Sequence, residues 1–178
     1  MTKNEFKKNW YIKKASTFGR GIFANREVMK DEIIDILTGK VVDLTEIVYW
    51  PYNNAHYNWW QIGKTAWLQT EPPGEFINHS CNPSAVILNL VQLIAARDIE
   101  QGEEITVDYD AIDWDEHILP MKCLCGYENC RKIIKGYKFL PDEIKMRYKQ
   151  IGIIPEYIFE LERDWQKQSA IEHNLAVE

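Results

Sequence analysis

Residues 75–84, EFINHSCNPS, bring polar and metal-binding side chains into an apolar part of the sequence. Two apolar residues precede four consecutive polar or metal-capable ones, and an Asn-Pro turn signal closes the segment. Burying such groups without partners costs about 1–3 kcal/mol each. We therefore expect something to lie against these side chains in the folded protein.

The cysteines carry the clearest chemical signal in the chain. Cys123, Cys125 and Cys130 form a C-x-C-x4-C loop around Gly126, and Cys81 is the one remaining thiol. Four thiolates suit one tetrahedral zinc ion at about 2.3 Å. A disulfide framework is the alternative, but C-x-C is poorly spaced for an internal bridge and no secretory signal is present. The cysteines predict a zinc site with Cys81 as fourth ligand, which would tie residues 75–84 to the C-terminal segment.

Length and composition limit the class of protein. The chain has 178 residues, 46% of them hydrophobic, with seven Trp, which predicts a packed domain. A net charge of −6 argues against direct binding to nucleic acid and is better suited to a basic protein partner. No apolar run approaches the roughly 20 residues of a membrane span, and the N-terminus lacks a signal-peptide core. We expect no membrane partner and a cytoplasmic or nuclear location.

The first half of the chain shows short β patterns. Residues 31–42, DEIIDILTGKVV, predict a strand, a turn at Thr38-Gly39 and a returning strand. Residues 56–62 predict an aromatic-rich strand, whose rings belong either to the core or to the lining of a narrow channel. Both segments favour a sheet-rich domain.

Further strands are predicted on either side of residue 100. Residues 85–96 form one long apolar β-run, and a turn at residues 101–102 precedes a strand that ends at Tyr109. No strong helical period occurs before residue 140. The pattern therefore predicts a mainly β domain.

Closely spaced glycines on either side of Arg20 allow a tight turn or the close approach of another group to the main chain. The segment lacks the Gly-Lys-Ser/Thr of a Walker loop and the third glycine of a Rossmann fingerprint. Taken alone, it indicates a turn that connects two strands.

Taken together, four motifs resemble those of SET-domain protein-lysine methyltransferases with a post-SET zinc loop. In chain order they are Gly19-Arg-Gly21, residues 76–83 (FINHSCNP), residues 102–109 (GEEITVDY) and residues 123–130 (CLCGYENC). The resemblance covers roughly residues 10 to 135. It implies a β-clip of small curved sheets with a pseudoknot, in which the segment carrying Asn78-His79 crosses the strand that ends at Tyr109.

The resemblance divides the chain into a SET domain at 1–117, a post-SET zinc loop at 118–135 and a C-terminal helical cap at 136–178. It also implies S-adenosylmethionine as the cofactor. The expected cofactor-binding residues are Arg20, Gly21, Ile22, Tyr57, Asn78, His79 and Leu124.

Tyr109 stands at the position of the family's catalytic tyrosine. Its hydroxyl can donate and accept, so we expect it to orient the substrate amine and the methyl group rather than to act as a strong base. A lysine near pKa 10.4 is almost wholly charged at neutral pH, and a narrow apolar channel beside a sulfonium favours its neutral form. Methyl transfer is an in-line displacement that requires this alignment.

Several positions depart from the family pattern, and they are Leu37, Glu75, Ser84, Ile87 and Val107. Leu37 makes one wall of the expected lysine channel apolar. Val107 and Ile87 are aliphatic where an aromatic residue often tunes how many methyl groups are added. A small Val107 predicts room for a di- or trimethylated product.

An acidic run, consisting of Asp108, Asp110, Asp113, Asp115 and Glu116, surrounds Tyr109 in the sequence. Its ordinary interpretation is a solvated face, and the alternative is a docking surface for a basic peptide. Beyond residue 140, Pro141 and Pro155 each predict the start of a helix. These helices are expected to cap the domain, or alternatively to contact a partner.

Two classes of function remain open. The first is an enzyme that methylates a lysine in a basic segment of a protein, such as a histone-like tail. The second is a catalytically weak, zinc-stabilised module that binds peptides on the same scaffold, which the departures at Leu37 and Glu75 make credible. The residues Tyr109, Asn78 and His79 favour the enzyme.

Overall fold

The computed structural model of the protein describes residues 8–15, 19–43, 59–115 and 121–175, with side chains described to residue 172. Tyr57 and Glu116, which the sequence singled out, lie outside these ranges. The described residues are mainly β, with two C-terminal helices, which confirms the predicted fold class. Among them, neither helix has the length and apolar character needed to cross a membrane.

Twelve short strands and two helices occur within the described ranges. The strands are β1 Trp10–Lys14, β2 Arg20–Ala24, β3 Ile33–Ile36, β4 Gly39–Asp43, β5 Trp59–Gln61, β6 Ala66–Thr70, β7 Asn78–His79, β8 Ala85–Leu88, β9 Gln92–Ala95, β10 Thr106–Val107, β11 Met121–Lys122 and β12 Ile133–Ile134. The helices are α1 Asp142–Gln150 and α2 Glu156–Leu175.

The strands form five small sheets. Two have three strands, in the orders β3-β9-β8 and β4-β6-β5, and three are pairs, β1-β2, β7-β10 and β11-β12. All pairings are antiparallel except β7 with β10, which run parallel with Asn78 opposite Thr106 and His79 opposite Val107. This parallel pair brings together two segments that the sequence resemblance expected to cross.

The prediction of one strand over residues 85–96 is wrong. The chain turns back at Asn89 and Leu90, which both have positive φ (46° and 73°), so β8 and β9 form an antiparallel hairpin. Two left-handed residues in succession match the twist of a tight hairpin. The Asn89 side chain donates to Gln92 Oε1 at 2.7 Å across the turn. The sequence pattern did not indicate this turn, because leucine, which stands at position 90, is not a typical turn residue.

The predicted return of β4 along β3 is also wrong, although both strands form. Leu37 N donates to Val91 O at 2.8 Å, which keeps β3 with the β8–β9 hairpin. Glu71 N donates to Thr38 O at 2.9 Å, which directs the next residues to β6. Residues 37–38 therefore pass the chain from one sheet to another instead of closing a hairpin.

The predicted strand that ends at Tyr109 is shorter than expected. β10 stops at Val107, and Tyr109–Ala111 form a 3-10 turn. The Asp108 side chain accepts a hydrogen bond from Asp110 N at 3.1 Å and so caps this turn. Tyr109 thus lies on a capped turn rather than at the end of a strand.

Two apolar clusters hold these elements together. The main cluster joins the β sheets around Ile22, Leu93 and Ile105. The second lies between β8 and the C-terminal helices, where Tyr148 and Ile158 are buried. The C-terminal helices therefore pack against the β domain through this cluster.

Candidate functional site

The four cysteines meet in one cluster. Their sulfur atoms all lie within 4.8 Å of one another, and Cys81 Sγ is 3.7 Å from Cys123 Sγ. A bonded pair would be about 2.0 Å apart, whereas a tetrahedron with zinc-sulfur distances of about 2.3 Å has edges of about 3.8 Å. The donor set and its spacing fit zinc.

Main-chain N–H groups point at the cysteine sulfurs. Arg131 N donates to Cys81 Sγ at 3.4 Å, and Lys132 N donates to Cys130 Sγ at 3.3 Å. The β11–β12 pair closes the loop, and Cys123 N donates to Lys132 O at 2.8 Å. Such N–H groups favour thiolates, because they offset negative charge in a partly buried place.

Tyr109 is held from three sides. Its hydroxyl donates to Ile77 O at 2.7 Å, and its main-chain N–H donates to His79 Nδ1 at 3.1 Å. The indole ring of Trp60 meets the Tyr109 ring edge to face, with 5.4 Å between the centroids. Burial raises the pKa of Tyr109 above its ordinary value, so the hydroxyl stays protonated at neutral pH.

The His79 ring connects the tyrosine to the cysteine cluster. Because Nδ1 accepts from Tyr109 N, the ring proton belongs on Nε2, which lies 3.4 Å from Cys81 Sγ. Burial lowers the pKa of His79 to about 4, so the ring is neutral at neutral pH. Both ring nitrogens are therefore occupied within the protein.

Gly21, Asn78 and Glu104 pack closely in a small polar cluster, which we call the recess. Asn78 Nδ2 donates to Arg20 O at 3.1 Å and to Glu104 Oε1 at 2.7 Å. A Cβ atom at Gly21 would lie 2.9 Å from Asn78 Nδ2 and would also meet the Glu104 carboxylate. The glycine is therefore needed for this close approach. Glu104 is a member of the recess that the sequence analysis did not single out.

The other predicted cofactor residues fall in different surroundings. Ile22 is fully buried in the main core, next to the recess in sequence. The Arg20 guanidinium lies over the Phe76 ring, 4.3 Å from its centroid. Leu124 is 47% exposed on the cysteine loop. Tyr57 lies outside the described residues.

The prediction of a solvated acidic face is wrong for the part nearest Tyr109. Asp108 and Asp110 are each 2% exposed, Asp113 is buried as well, and Asp115 is half-buried. A peptide cannot dock on carboxylates that the fold encloses. Glu116 lies outside the described residues.

Arg131 is the partner that makes this burial possible. Its Nη2 contacts Asp108 Oδ1 at 2.5 Å and Asp110 Oδ2 at 2.8 Å, and its Nε donates to Asp110 Oδ2 at 3.1 Å. Asp110 Oδ1 accepts from Lys135 N and Gly136 N, at 2.8 and 2.6 Å. We call Asp108, Asp110, Arg131 and the Tyr148 hydroxyl, which donates to Asp108 Oδ2 at 2.5 Å, the carboxylate network.

Sequence reasoning missed Arg131, Tyr148 and Trp60. Arg131 directly follows Cys130, and its position beside a predicted ligand was the one signal available. Tyr148 is 40 residues from Asp108 along the chain, so no local pattern joins them. Trp60 was placed in a strand of undecided use, and its edge-on contact makes it a wall beside Tyr109.

Comparison with known proteins places these features in one family. The model of the family described as SET domain matches residues 19–110. A variant-silencing SET domain-containing protein of Plasmodium falciparum is 31% identical over 147 residues, which cover 72% of this chain and 6% of that protein. Human histone-lysine N-methyltransferase 2D is 30% identical over 148 residues, which cover 73% of this chain and 3% of that protein.

Two yeast relatives align over more of the chain. A histone-lysine N-methyltransferase of Debaryomyces hansenii, named as H3 lysine-36 specific, is 28% identical over 172 residues, which cover 85% of this chain and 22% of that protein. The chain thus spans less than a quarter of the length of each of these three relatives. The family match covers residues 19–110, from the glycine pair to the turn that carries Tyr109, and on this evidence the chain belongs to the SET domain family.

Proposed function

We propose that the protein transfers methyl groups from S-adenosylmethionine to the side-chain amine of a lysine in a protein substrate. The observation that carries this proposal is the position of the Tyr109 hydroxyl. It lies 2.7 Å from Ile77 O, one residue before Asn78, so the candidate catalytic group adjoins the candidate cofactor recess. The names of the histone-lysine methyltransferase relatives support the same reaction.

The recess suits the methionine end of the cofactor. S-adenosylmethionine, when bound, supplies an electrophilic methyl group. Gly21 lets the Asn78 amide and the Glu104 carboxylate approach the main chain of β2 closely, so a polar group of each lies beside it. Because the His79 ring nitrogens are occupied, a cofactor contact at His79 would use its main chain. Leu124, exposed on the cysteine loop, would cover the adenine end.

Tyr109 would orient the substrate amine. Its hydroxyl proton is committed to Ile77 O, which leaves its oxygen lone pairs free to accept from an amine. Its raised pKa argues against a role as a strong base. Trp60 and Leu37 are buried in the core against which Tyr109 packs, and such apolar walls favour the neutral, nucleophilic form of lysine.

Zinc would be held by Cys81, Cys123, Cys125 and Cys130. Four thiolates complete a closed tetrahedral shell, which is typical of a structural rather than a catalytic metal. The site would join residues 75–84 to the loop after β11, so it would hold Leu124 near the cofactor recess. Burial raises the pKa of the Cys81 thiol to about 11, and a bound cation would favour its deprotonation.

The substrate class follows from charge and from the relatives. We expect a basic protein segment with an exposed lysine, such as a histone-like tail, because the chain carries a net charge of −6. The burial of Asp108 and Asp110 means that other acidic groups must meet such a segment.

The number of methyl groups transferred would depend on the space beside Val107. Val107 is two residues before Tyr109 and is fully buried in the core against which Tyr109 packs. We expect wild-type protein to give di- or trimethyl-lysine, and Val107→Phe to shift the product towards monomethyl-lysine. Mass spectrometry of the modified peptide measures this directly, and a wild-type product that stops at monomethyl-lysine contradicts it.

The direct test of the proposed function is methyl transfer with and without the Tyr109 hydroxyl. Zinc-loaded protein is incubated with methyl-labelled S-adenosylmethionine and core histones, and labelled lysine is identified. We expect transfer by the wild type and a loss of about 100-fold or more in Tyr109→Phe, because alignment of the reacting groups is lost. An equal single-turnover rate in both proteins contradicts the assignment of Tyr109.

A peptide-binding module with weak catalysis is the second candidate. The Tyr109 hydroxyl already has a hydrogen-bond acceptor inside the protein, which is also compatible with a structural role. This candidate predicts that histone peptides bind but receive no label. It further predicts that Tyr109→Phe leaves peptide affinity unchanged.

A further inference from the structure

Helix α1 contacts the turn that carries Tyr109, and one of its contacts is a hydrogen bond from the hydroxyl group of Tyr148. Tyr148 lies in the second apolar cluster, almost fully enclosed, and its Oη donates to Asp108 Oδ2 at 2.5 Å. The family match ends at residue 110, so this contact comes from a part of the chain that the match does not cover.

Asp108 links Tyr148 to the turn that carries Tyr109. It directly precedes Tyr109, and its Oδ1 caps the 3-10 turn through Asp110 N at 3.1 Å. The same oxygen contacts Arg131 Nη2 at 2.5 Å, while Oδ2 accepts from Tyr148. The Tyr148 hydroxyl therefore holds one of the two carboxylate oxygens, and the rotation of that carboxylate sets the geometry of the cap.

We propose that Tyr148 is a positioning residue for Tyr109, so that helix α1 is part of the methyl-transfer machinery rather than only a cap over the core. This inference rests on the proposed function. Without the Tyr148 hydroxyl, the Asp108 carboxylate is held on one side only, and the turn that carries Tyr109 loses its fixed orientation. Reactions that depend on alignment are sensitive to displacements of about 1 Å.

Tyr157 offers a matched control within the same cluster. It is also a buried tyrosine on a C-terminal helix, and its hydroxyl also donates into the β domain. Its acceptors are the main-chain carbonyls of Gln61 and Ile112, at 2.6 and 2.8 Å, so it contacts the C-terminal end of the Tyr109 turn at Ile112 but no group of the carboxylate network. The control therefore separates the carboxylate contact from any other contact between a C-terminal helix and this turn. Tyr148→Phe and Tyr157→Phe remove the same atom from comparable surroundings.

The test compares these two variants at a temperature at which both are fully folded. We expect both to lower the denaturation midpoint and to leave the dissociation constant of S-adenosylmethionine within about twofold of the wild type. Only Tyr148→Phe should lower the single-turnover rate constant, by about tenfold. In a Tyr109→Phe background, Tyr148→Phe should have no further effect on the rate, because the two residues act as one unit.

A second readout does not depend on activity. In protein with carbon-13-labelled tyrosine, the Tyr109 ring resonance is identified by its absence in Tyr109→Phe. We expect this resonance to shift in Tyr148→Phe and to stay in place in Tyr157→Phe. Equal rates in the two variants together with an unmoved Tyr109 resonance would overturn the inference while leaving the proposed function intact. If wild-type protein transfers no methyl group, the proposed function fails and the resonance alone decides whether Tyr148 positions Tyr109.

Discussion

The polar groups on the two sides of Tyr109 are alike in type but differ in how completely the protein satisfies them. The first group is the carboxylate network, which we describe as behind Tyr109. It is buried, and both oxygens of each carboxylate have donors. The second group consists of Asn78 and Glu104 beside Gly21, which we describe as in front of Tyr109. Both side chains are half-buried. The first arrangement is typical of structural groups, and the second leaves polar atoms within reach of a ligand.

The two regions therefore make opposite predictions. Changes behind Tyr109 should lower the free energy of unfolding, and changes in front should lower cofactor affinity with little effect on stability. Four experiments, from the largest expected effect to the smallest, test this difference and its limits.

Removal of a metal ion bound by the four cysteines should have the largest effect on stability. Structural zinc sites contribute on the order of 10 kcal/mol or more of apparent binding free energy in small domains. A chelator should lower the thermal midpoint and increase hydrogen exchange in β11 and β12, which flank the cysteine loop. Cys81→Ser should reduce bound zinc from about one ion per chain to a trace. Protein that melts identically with and without chelator contradicts the metal assignment.

Arg131→Leu should be the most damaging single substitution in the carboxylate network. It leaves Asp108 and Asp110 buried without their cation, and breaking such a pair costs about 3–5 kcal/mol. Urea denaturation measures the loss. Arg97→Leu is the matched control, because Arg97 pairs with Glu103 at 2.5 Å but is 45% exposed, and such pairs contribute about 0–1 kcal/mol. Similar losses of unfolding free energy in the two variants would show that the buried carboxylate network stabilises the protein no more than an exposed ion pair does.

The front region should respond in the opposite way. Asn78→Ala removes the hydrogen bonds to Arg20 O and Glu104, and we expect it to cost no more than about 1–2 kcal/mol of stability. A larger loss, comparable to that of Arg131→Leu, would show that the recess is structural and not a ligand site.

Lys64→Ala should have the smallest effect. Lys64 contacts Asp164 of α2, and both side chains are largely exposed. Exposed ion pairs contribute little to stability, because water screens them. The helix is held instead by the burial of Tyr157 and Ile158. A loss of stability in urea denaturation as large as that of Arg131→Leu would mean that this surface contact, rather than apolar packing, holds α2.

The sequence predicted the parts of the site that depend on local spacing. The cysteine loop, the Asn-His pair and Tyr109 each lie in a short motif, and the structure brings the four thiols together. The recess at Gly21 was partly predictable, because closely spaced glycines allow close approach. Glu104 escaped notice because a glutamate after a turn is usually a surface residue.

Long-range partners were beyond prediction. Charged residues are exposed by default, so the burial of Asp108 and Asp110 could be foreseen only by knowing that Arg131 lies against them. The hairpin at Asn89 and Leu90 was hidden in an apolar run without glycine or proline. In both cases tertiary contacts overrode the local pattern.

Calorimetric titration of S-adenosylmethionine into zinc-loaded protein tests the central claim most directly, because it requires no knowledge of the substrate. Wild type, Tyr109→Phe and Asn78→Ala are compared. The account predicts micromolar binding to the wild type, similar binding to Tyr109→Phe, and at least about tenfold weaker binding to Asn78→Ala, or about 1.4 kcal/mol. Absence of binding to folded, zinc-replete wild-type protein, or equal binding to Asn78→Ala, would contradict the assignment of the recess as the cofactor site.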